Sequence, residues 1–328
     1  MKKVFLTRKI FPEALERLSR SAELVIWPES YPPSLEVLTA KAGEVDGFIS
    51  MLSDPINAQV IQAGSQNHLQ VISQMAVGYD NIAVSAATQA GILVGNTPGV
   101  LTETTADLAW ALLMASARRV VESHNEVHQG IWRAWGPDVL CGVDVYGATL
   151  GLIGFGRIGQ AMAARARGFN MRVVYTQRHR DVAAEEKYAA EFVSLDDLLR
   201  QSDFVSLHAY LSPETKGMIG PAQFDLMKPG AIFINTARGA MVDQAALALN
   251  LLNGKLAAAG LDVTDPEPIP QDSPLLKLPN VVITPHIGSA STQTRKRMAV
   301  MTVENVEAAF SGKPLPYCVN PEVYANRK

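Results

Sequence analysis

Three short segments in the second half of the chain each carry one ionisable group at the end of an apolar run. They are Asn235-Thr236-Ala237-Arg238-Gly239, Leu261-Asp262-Val263-Thr264-Asp265-Pro266-Glu267-Pro268 and Thr284-Pro285-His286-Ile287-Gly288. Residues at the carboxyl ends of parallel strands point into one crevice, where doubly wound sheets bind ligands. An arginine, a glutamate and a histidine gathered there suit the reduction of a 2-keto acid. A guanidinium binds a carboxylate and polarises the neighbouring carbonyl. Hydride added to the carbonyl carbon leaves an alkoxide, which needs a proton, and imidazolium is a suitable donor near neutral pH. A carboxylate beside the imidazole favours its charged form. The expected roles are therefore binding and polarisation for Arg238, proton donation for His286, and orientation of His286 by Glu267. None of the three is persuasive alone; a lone strand-end histidine is usually structural.

The set gains weight from what lies upstream. Gly154-Phe155-Gly156-Arg157-Ile158-Gly159 matches GxGxxG, directly follows the apolar run Thr149–Ile153 and opens a helix. That is the context in which the motif binds a dinucleotide. The glycines permit a tight turn and close approach to a pyrophosphate, and the helix N-terminus offers unpaired N–H groups. An acidic residue about 20 positions on would hydrogen-bond the adenosine ribose of NAD. Here that place reads Tyr175-Thr176-Gln177-Arg178-His179-Arg180, with no acid before Asp181. Gln177 replaces the acid, and Arg178 can pair with a 2′-phosphate; His179 and Arg180 stand beside it. NADPH is the expected cofactor, with NADH the alternative.

Both halves of the chain alternate apolar runs with helical patterns. Val4–Leu6, Ala22–Ile26, Gly47–Ser50, Val71–Ser73 and Ile92–Val94 read as strands of a first region, and Thr149–Ile153, Arg172–Tyr175, Phe204–Leu207, Ala231–Ile234 and Val281–Ile283 as strands of a second. Alternation of this kind predicts parallel sheets covered on both faces. Between them, Leu101 to Val121 reads as one long helix, apolar nearly all round, which must be buried between domains or against a second subunit. A loop with Trp132 and Trp135 follows, and Ser291–Phe310 returns the chain as a helix.

The bulk properties exclude several classes. At 328 residues the chain is long for one core and suits two domains. A net charge of -3 with the two signs interspersed offers no nucleic-acid stripe and no charged tail. Cys141 and Cys318 are too few and too far apart for a disulfide framework, and each is expected to be a buried thiol. No His/Cys/Asp cluster has metal-ligand spacing, so no metal is expected. The N-terminal residues read as a strand rather than a signal peptide. No apolar run reaches ~18 residues, so no membrane span is expected; the cytoplasm is the expected compartment. No Gly-x-Ser-x-Gly elbow occurs, which argues against a serine hydrolase.

Taken together, Val77-Gly78-Tyr79-Asp80-Asn81, Gly154–Gly159, Asn235–Gly239, Asp262–Pro268 and Pro285-His286-Ile287-Gly288 resemble the D-isomer-specific 2-hydroxyacid dehydrogenase family over essentially the whole chain. Within it, Arg178 and Trp132-Arg133-Ala134-Trp135 look most like the glyoxylate/hydroxypyruvate reductases, including those that also act on 2-ketogluconate. The resemblance implies an α/β architecture of two doubly wound parallel-sheet domains. Residues 1–100 with 289–328 would form a flavodoxin-like substrate domain, and 101–288 a Rossmann cofactor domain. It places Arg238, Glu267 and His286 on the family's catalytic residues. It implies that the backbone at Val77 and Gly78 binds the substrate carboxylate, that Asp262 contacts the nicotinamide amide, and that Thr236, Ala237 and Gly288 line the cofactor site. It further implies a homodimer in which Trp135 reaches the partner's active site. Many members have proline where this chain has Tyr210, which leaves adenine packing open. Two other readings are a cofactor-sensing scaffold on the same fold and an enzyme of another small anion such as formate. The complete triad disfavours the first; Val77-Gly78-Tyr79-Asp80 without added positive charge disfavours the second.

Overall fold

Short runs of β-branched and aliphatic residues form most of the strands, and the central ones are buried along most of their length, as expected for sheets covered on both faces. A computed structural model describes residues 1–326 of the chain. In the first region the strands are β1 (Lys2–Leu6), β2 (Ala22–Ile26), β3 (Gly47–Ser50), β4 (Val71–Gln74) and β5 (Leu93–Gly95), interleaved with α1 (Pro12–Ser19), α2 (Leu35–Ala42), α3 (Ala58–Ser65) and α4 (Val84–Gln89). Their order is β2-β1-β3-β4-β5, all parallel, the flavodoxin-like arrangement. Side chains alternate across the sheet. Val4, Leu6, Ile49 and Val71 face one core with Val303 and Val306, while Phe5, Phe48 and Ile72 face another with Leu38 and Val60.

The second region begins with α5 (Thr102–Ala117) and α6 (Val120–His128), and continues β6 (Thr149–Ile153), α7 (Arg157–Gly168), β7 (Arg172–Thr176), α8 (Val182–Tyr188), β8 (Ala190–Phe192), α9 (Leu195–Gln201), β9 (Phe204–Leu207), α10 (Pro221–Leu226), β10 (Ala231–Asn235), α11 (Gln244–Leu252), β11 (Leu256–Leu261) and β12 (Val281–Ile283). The sheet order is β12-β11-β10-β9-β6-β7-β8. Strand order therefore reverses at β6, which pairs with both β7 and β9. The chain ends with α12 (Thr292–Phe310) and α13 (Glu322–Asn326). It divides into two compact units, Met1–Leu101 with the segment from Ala290 onward, and Thr102–Ser289.

Two expectations are corrected. The long helix expected over Leu101–Val121 is two helices, broken at Arg119, which adopts the left-handed conformation (φ 50°). The physical reason is a competing donor. The N–H of Val143 takes the carbonyl of Ala117, and Gly142 packs so closely there that a Cβ would lie 2.1 Å from that oxygen. Arg119 then ties the new start to Glu122 through two bonds of 2.8 and 2.7 Å. Nor are the cysteines buried thiols. Cys141 is exposed on the irregular segment after α6, and Cys318 is half-buried at an antiparallel bridge to Gly95.

Candidate active site

Strands β10, β11 and β12 are neighbours, so their carboxyl ends present three adjacent loops. Each loop is folded by its own polar side chains. After β10, the Asn235 Oδ1 accepts the Ala237 N–H at 2.9 Å and its Nδ2 donates to the Arg238 carbonyl at 3.0 Å. This Asx-type turn aims Arg238 off the strand end. Gly239 lets the next loop close against it: a Cβ there would sit 2.1 Å from the carbonyl carbon of Thr264. The Arg238 guanidinium, half-buried, donates to the Ala237 carbonyl at 2.7 Å.

Glu267 is held by the loop after β11. Its Oε1 accepts the backbone N–H of Thr264 at 3.2 Å, and its Oε2 lies 2.8 Å from His286 Nδ1. The Nδ1 side of the ring is thus committed to the carboxylate. Nε2 is left to face a reactant. The His286 backbone is left-handed (φ 52°), a conformation disfavoured for a residue with a Cβ. It is held there by its N–H, which donates to the Asp262 carbonyl at 2.9 Å. Strained backbone at a candidate site is held only when its surroundings over-determine it.

Asp262 supplies that determination. One carboxylate oxygen accepts Thr284 Oγ1 at 2.6 Å and the Ile287 N–H at 2.8 Å; the other accepts the Gly288 N–H at 2.7 Å. Burial pushes the Asp262 carboxyl up, opposed by these bonds. The carboxylate so clamps the segment that carries His286. This role, like that of the Thr264 N–H, was missed in the sequence, where a single Asp before Thr264 gives no sign of its partners twenty residues on.

The glycine loop fits a dinucleotide. Gly154 has φ 95°, and a Cβ on it would lie 2.6 Å from the Ala209 nitrogen; on Gly159 it would lie 2.2 Å from the Gly154 carbonyl oxygen. Gly156 has nothing within 4 Å of that position, so its face is open to an incoming phosphate. It opens α7, whose first turn has neither a side-chain cap nor an acidic residue to compete with an anion. Phe155 is buried within the turn, while Arg157 is exposed and Ile158 half-buried at the helix start. Thr236 Oγ1, buried at the end of β10, has no hydrogen-bond partner, which suits a ligand amide.

Beyond β7, Gln177 accepts the Phe155 N–H at 3.2 Å and donates to the His179 carbonyl at 2.7 Å. Arg180 is occupied by Glu185 through bonds of 2.8 and 2.7 Å, and these with the Tyr175 hydroxyl hold the Glu185 carboxyl down at about 2. Arg178 is exposed, as are His179 and Tyr210. His208, at the end of β9, bonds Ser206 Oγ through Nε2 at 2.8 Å, and burial pushes its imidazole down to about 4. Trp135 is 82% exposed on the loop after α6. Val77 and Gly78 follow β4 in the other unit. Among the described residues no group of three or more His, Cys, Asp and Glu could hold a metal ion, and no helix is long and apolar enough to cross a membrane.

A reversing parallel sheet with a phosphate-ready glycine turn is the architecture of a dinucleotide-binding domain. Residues 110–288 match the family model described as D-isomer specific 2-hydroxyacid dehydrogenase, NAD binding domain. A glyoxylate reductase of Korarchaeum cryptofilum is 51% identical over 98% of this chain and 96% of its own length. One from Aeropyrum pernix is 46% identical over 99% and 98%. The crystal structure of the NADPH-dependent glyoxylate/hydroxypyruvate reductase of Sinorhizobium meliloti with NADP and malonate superposes with a TM-score of 0.85, at 31% identity, over 98% of this chain and 97% of that one. The chain belongs to the D-isomer-specific 2-hydroxyacid dehydrogenase family.

Proposed function

We propose that this protein is an NADPH-dependent reductase of small 2-keto acids, glyoxylate and hydroxypyruvate first and 2-ketogluconate as the larger candidate, giving D-2-hydroxy acids. The observation that carries the reading is the 2.8 Å contact of Glu267 with His286 Nδ1, on strand ends next to the one that bears Arg238. Arg238 binds the keto-acid carboxylate and draws electron density from the carbonyl. The backbone N–H groups at Val77 and Gly78 are the donors that the first unit offers to a substrate carboxylate. Reduced nicotinamide, when bound, supplies the hydride. His286 Nε2 gives its proton to the substrate oxygen as negative charge develops there, and Glu267 stabilises the imidazolium that precedes this transfer. Gly154–Gly159, Thr236, Ala237 and Gly288 hold the cofactor, and Asp262 keeps His286 and Gly288 in register. The net reaction consumes one keto acid, one NADPH and one proton.

The preference for NADPH rests on Gln177 in place of an acid and on Arg178. Arg180 is engaged by Glu185, whereas Arg178 is exposed with no side-chain hydrogen bond among the described residues, so Arg178 is the better placed cation for a 2′-phosphate. The named Sinorhizobium relative, solved with NADP, supports this reading. The test follows NADPH and NADH oxidation by absorbance with glyoxylate, hydroxypyruvate and 2-ketogluconate. Turnover of the first two with NADPH, at a lower KM than for NADH, is expected. No turnover with any acid contradicts the function, and a lower KM for NADH removes the role of Arg178.

A further inference from the structure

Gln74 ends β4 and is wholly buried, yet every polar atom of its side chain is used. Its Oε1 accepts Ser50 Oγ at 2.6 Å. Its Nε2 donates to Asn81 Oδ1 at 2.6 Å and to the Gly78 carbonyl at 3.3 Å. Asn81 in turn donates to the carbonyls of Met51 and Asp54 at 3.1 and 2.8 Å. From the other side, Asn96 Nδ2 donates to the Val77 carbonyl at 2.8 Å. Two buried amides thus fix the carbonyls of Val77 and Gly78. A peptide is planar, so the Asn96 bond to the Val77 carbonyl fixes the Gly78 N–H, and the Thr97 N–H bond to the Ala76 carbonyl at 2.8 Å fixes the Val77 N–H, while Gln74 anchors the loop at the next peptide, through the Gly78 carbonyl. Among the described residues, neither the Val77 nor the Gly78 N–H has an acceptor within the protein, and both residues are partly exposed. Successive free N–H groups of this kind form an anion-receiving concavity.

We propose that Gln74 is a positioning residue for substrate binding: it holds the Val77–Gly78 loop, through the Gly78 carbonyl and Asn81, in the one orientation that presents its amides to the keto-acid carboxylate. The inference rests on the proposed reduction of a keto acid and adds to it a residue that touches no substrate. Glutamine is required because the position needs one acceptor for Ser50 and one donor for two oxygens. Glutamate offers only acceptors when ionised and places a negative charge beneath an anion site. Methionine fills similar space and donates nothing.

The test compares Gln74→Met and Gln74→Glu with the wild type in steady-state reduction of glyoxylate. A group that binds ground state and transition state alike changes KM and leaves kcat. Both variants are expected to raise the glyoxylate KM, by about tenfold for Gln74→Met if one buried hydrogen bond's worth of orientation is lost, and further for Gln74→Glu, with kcat within about threefold and the NADPH Kd unchanged. A merely structural role lowers kcat through loss of folded enzyme and leaves KM where it was; that result overturns the proposal. If the Met variant does not fold, Ser50→Ala, which removes only the donor to Oε1, is expected to raise KM by a smaller factor, and an unchanged KM there is equally contrary. A wild type that reduces no keto acid refutes the underlying function, whereas an active wild type with KM-neutral variants refutes only the role of Gln74.

Discussion

His286 is fixed at three points: its ring by Glu267, its N–H by the Asp262 carbonyl, and the residues after it by the Asp262 carboxylate. The second histidine near a strand end, His208, has no carboxylate partner and behaves in the opposite way. Its value of about 4 lies below the ordinary imidazole value of 6.5. Between those two values the folded protein keeps His208 neutral while the unfolded chain protonates it. The unfolded state then binds more protons, so stability is full above pH ~6.5 and declines as pH falls toward ~4. The expected outcome is a melting temperature that drops between pH 7 and pH 5, with a shallower drop in His208→Asn. Equal slopes for the two proteins would show that His208 is not buried neutral. The activity profile over the same range then reports on other groups, because His208 has no proton to give.

At the scale of elements, glycine spacing decides how the site closes. Gly239 sits where the loop after β10 meets the loop after β11, and a Cβ would overlap the Thr264 backbone at 2.1 Å. Backbone cannot yield as a flexible side chain can. Gly239→Ala is expected to cost about 1–3 kcal/mol of stability, as overpacking does, and to lower kcat by displacing the Thr264 N–H that orients Glu267. Denaturant unfolding and steady-state rates check both; a variant as stable and as active as the wild type would contradict the packing described. The strands were legible because their apolar runs are short, buried and bounded by turn residues. β8 was not, since Ala190-Glu191-Phe192 is a short edge strand without an apolar run. The break between α5 and α6 was not legible either: it depends on Val143, twenty-six residues beyond the carbonyl it captures. The three loops that carry Arg238, Glu267 and His286 could be picked out because each lies beside a local turn motif. The Asp262 clamp and the Gln74 hub were hidden because their partners come from distant segments.

At the scale of the molecule, the two units have their own sheets and their own cores. The segment from α6 to β6 breaks the usual pattern of burial. Val120, Val127, Ile131, Trp132, Trp135 and Tyr146 are each more than half exposed there, the last two at 82% and 71%. Exposed apolar side chains along one segment are the kind of surface that marks an interaction site, and the homodimer expected from the sequence would cover them with a second copy of the chain. Sedimentation equilibrium is expected to give twice the chain mass of 35.4 kDa. A value of one chain mass at micromolar concentration would contradict the homodimer and leave the Trp loop without a partner.

The chemistry itself is tested most directly by His286→Ala, measured for NADPH binding by fluorescence and for glyoxylate reduction in a single turnover. Loss of a positioned general acid costs about 10²–10⁴ in rate, so the expected result is reduction slowed by at least about a hundredfold with NADPH bound as tightly as in the wild type. Reduction at the wild-type rate, or loss of NADPH binding in place of loss of reduction, would contradict the assignment of His286 as the proton donor.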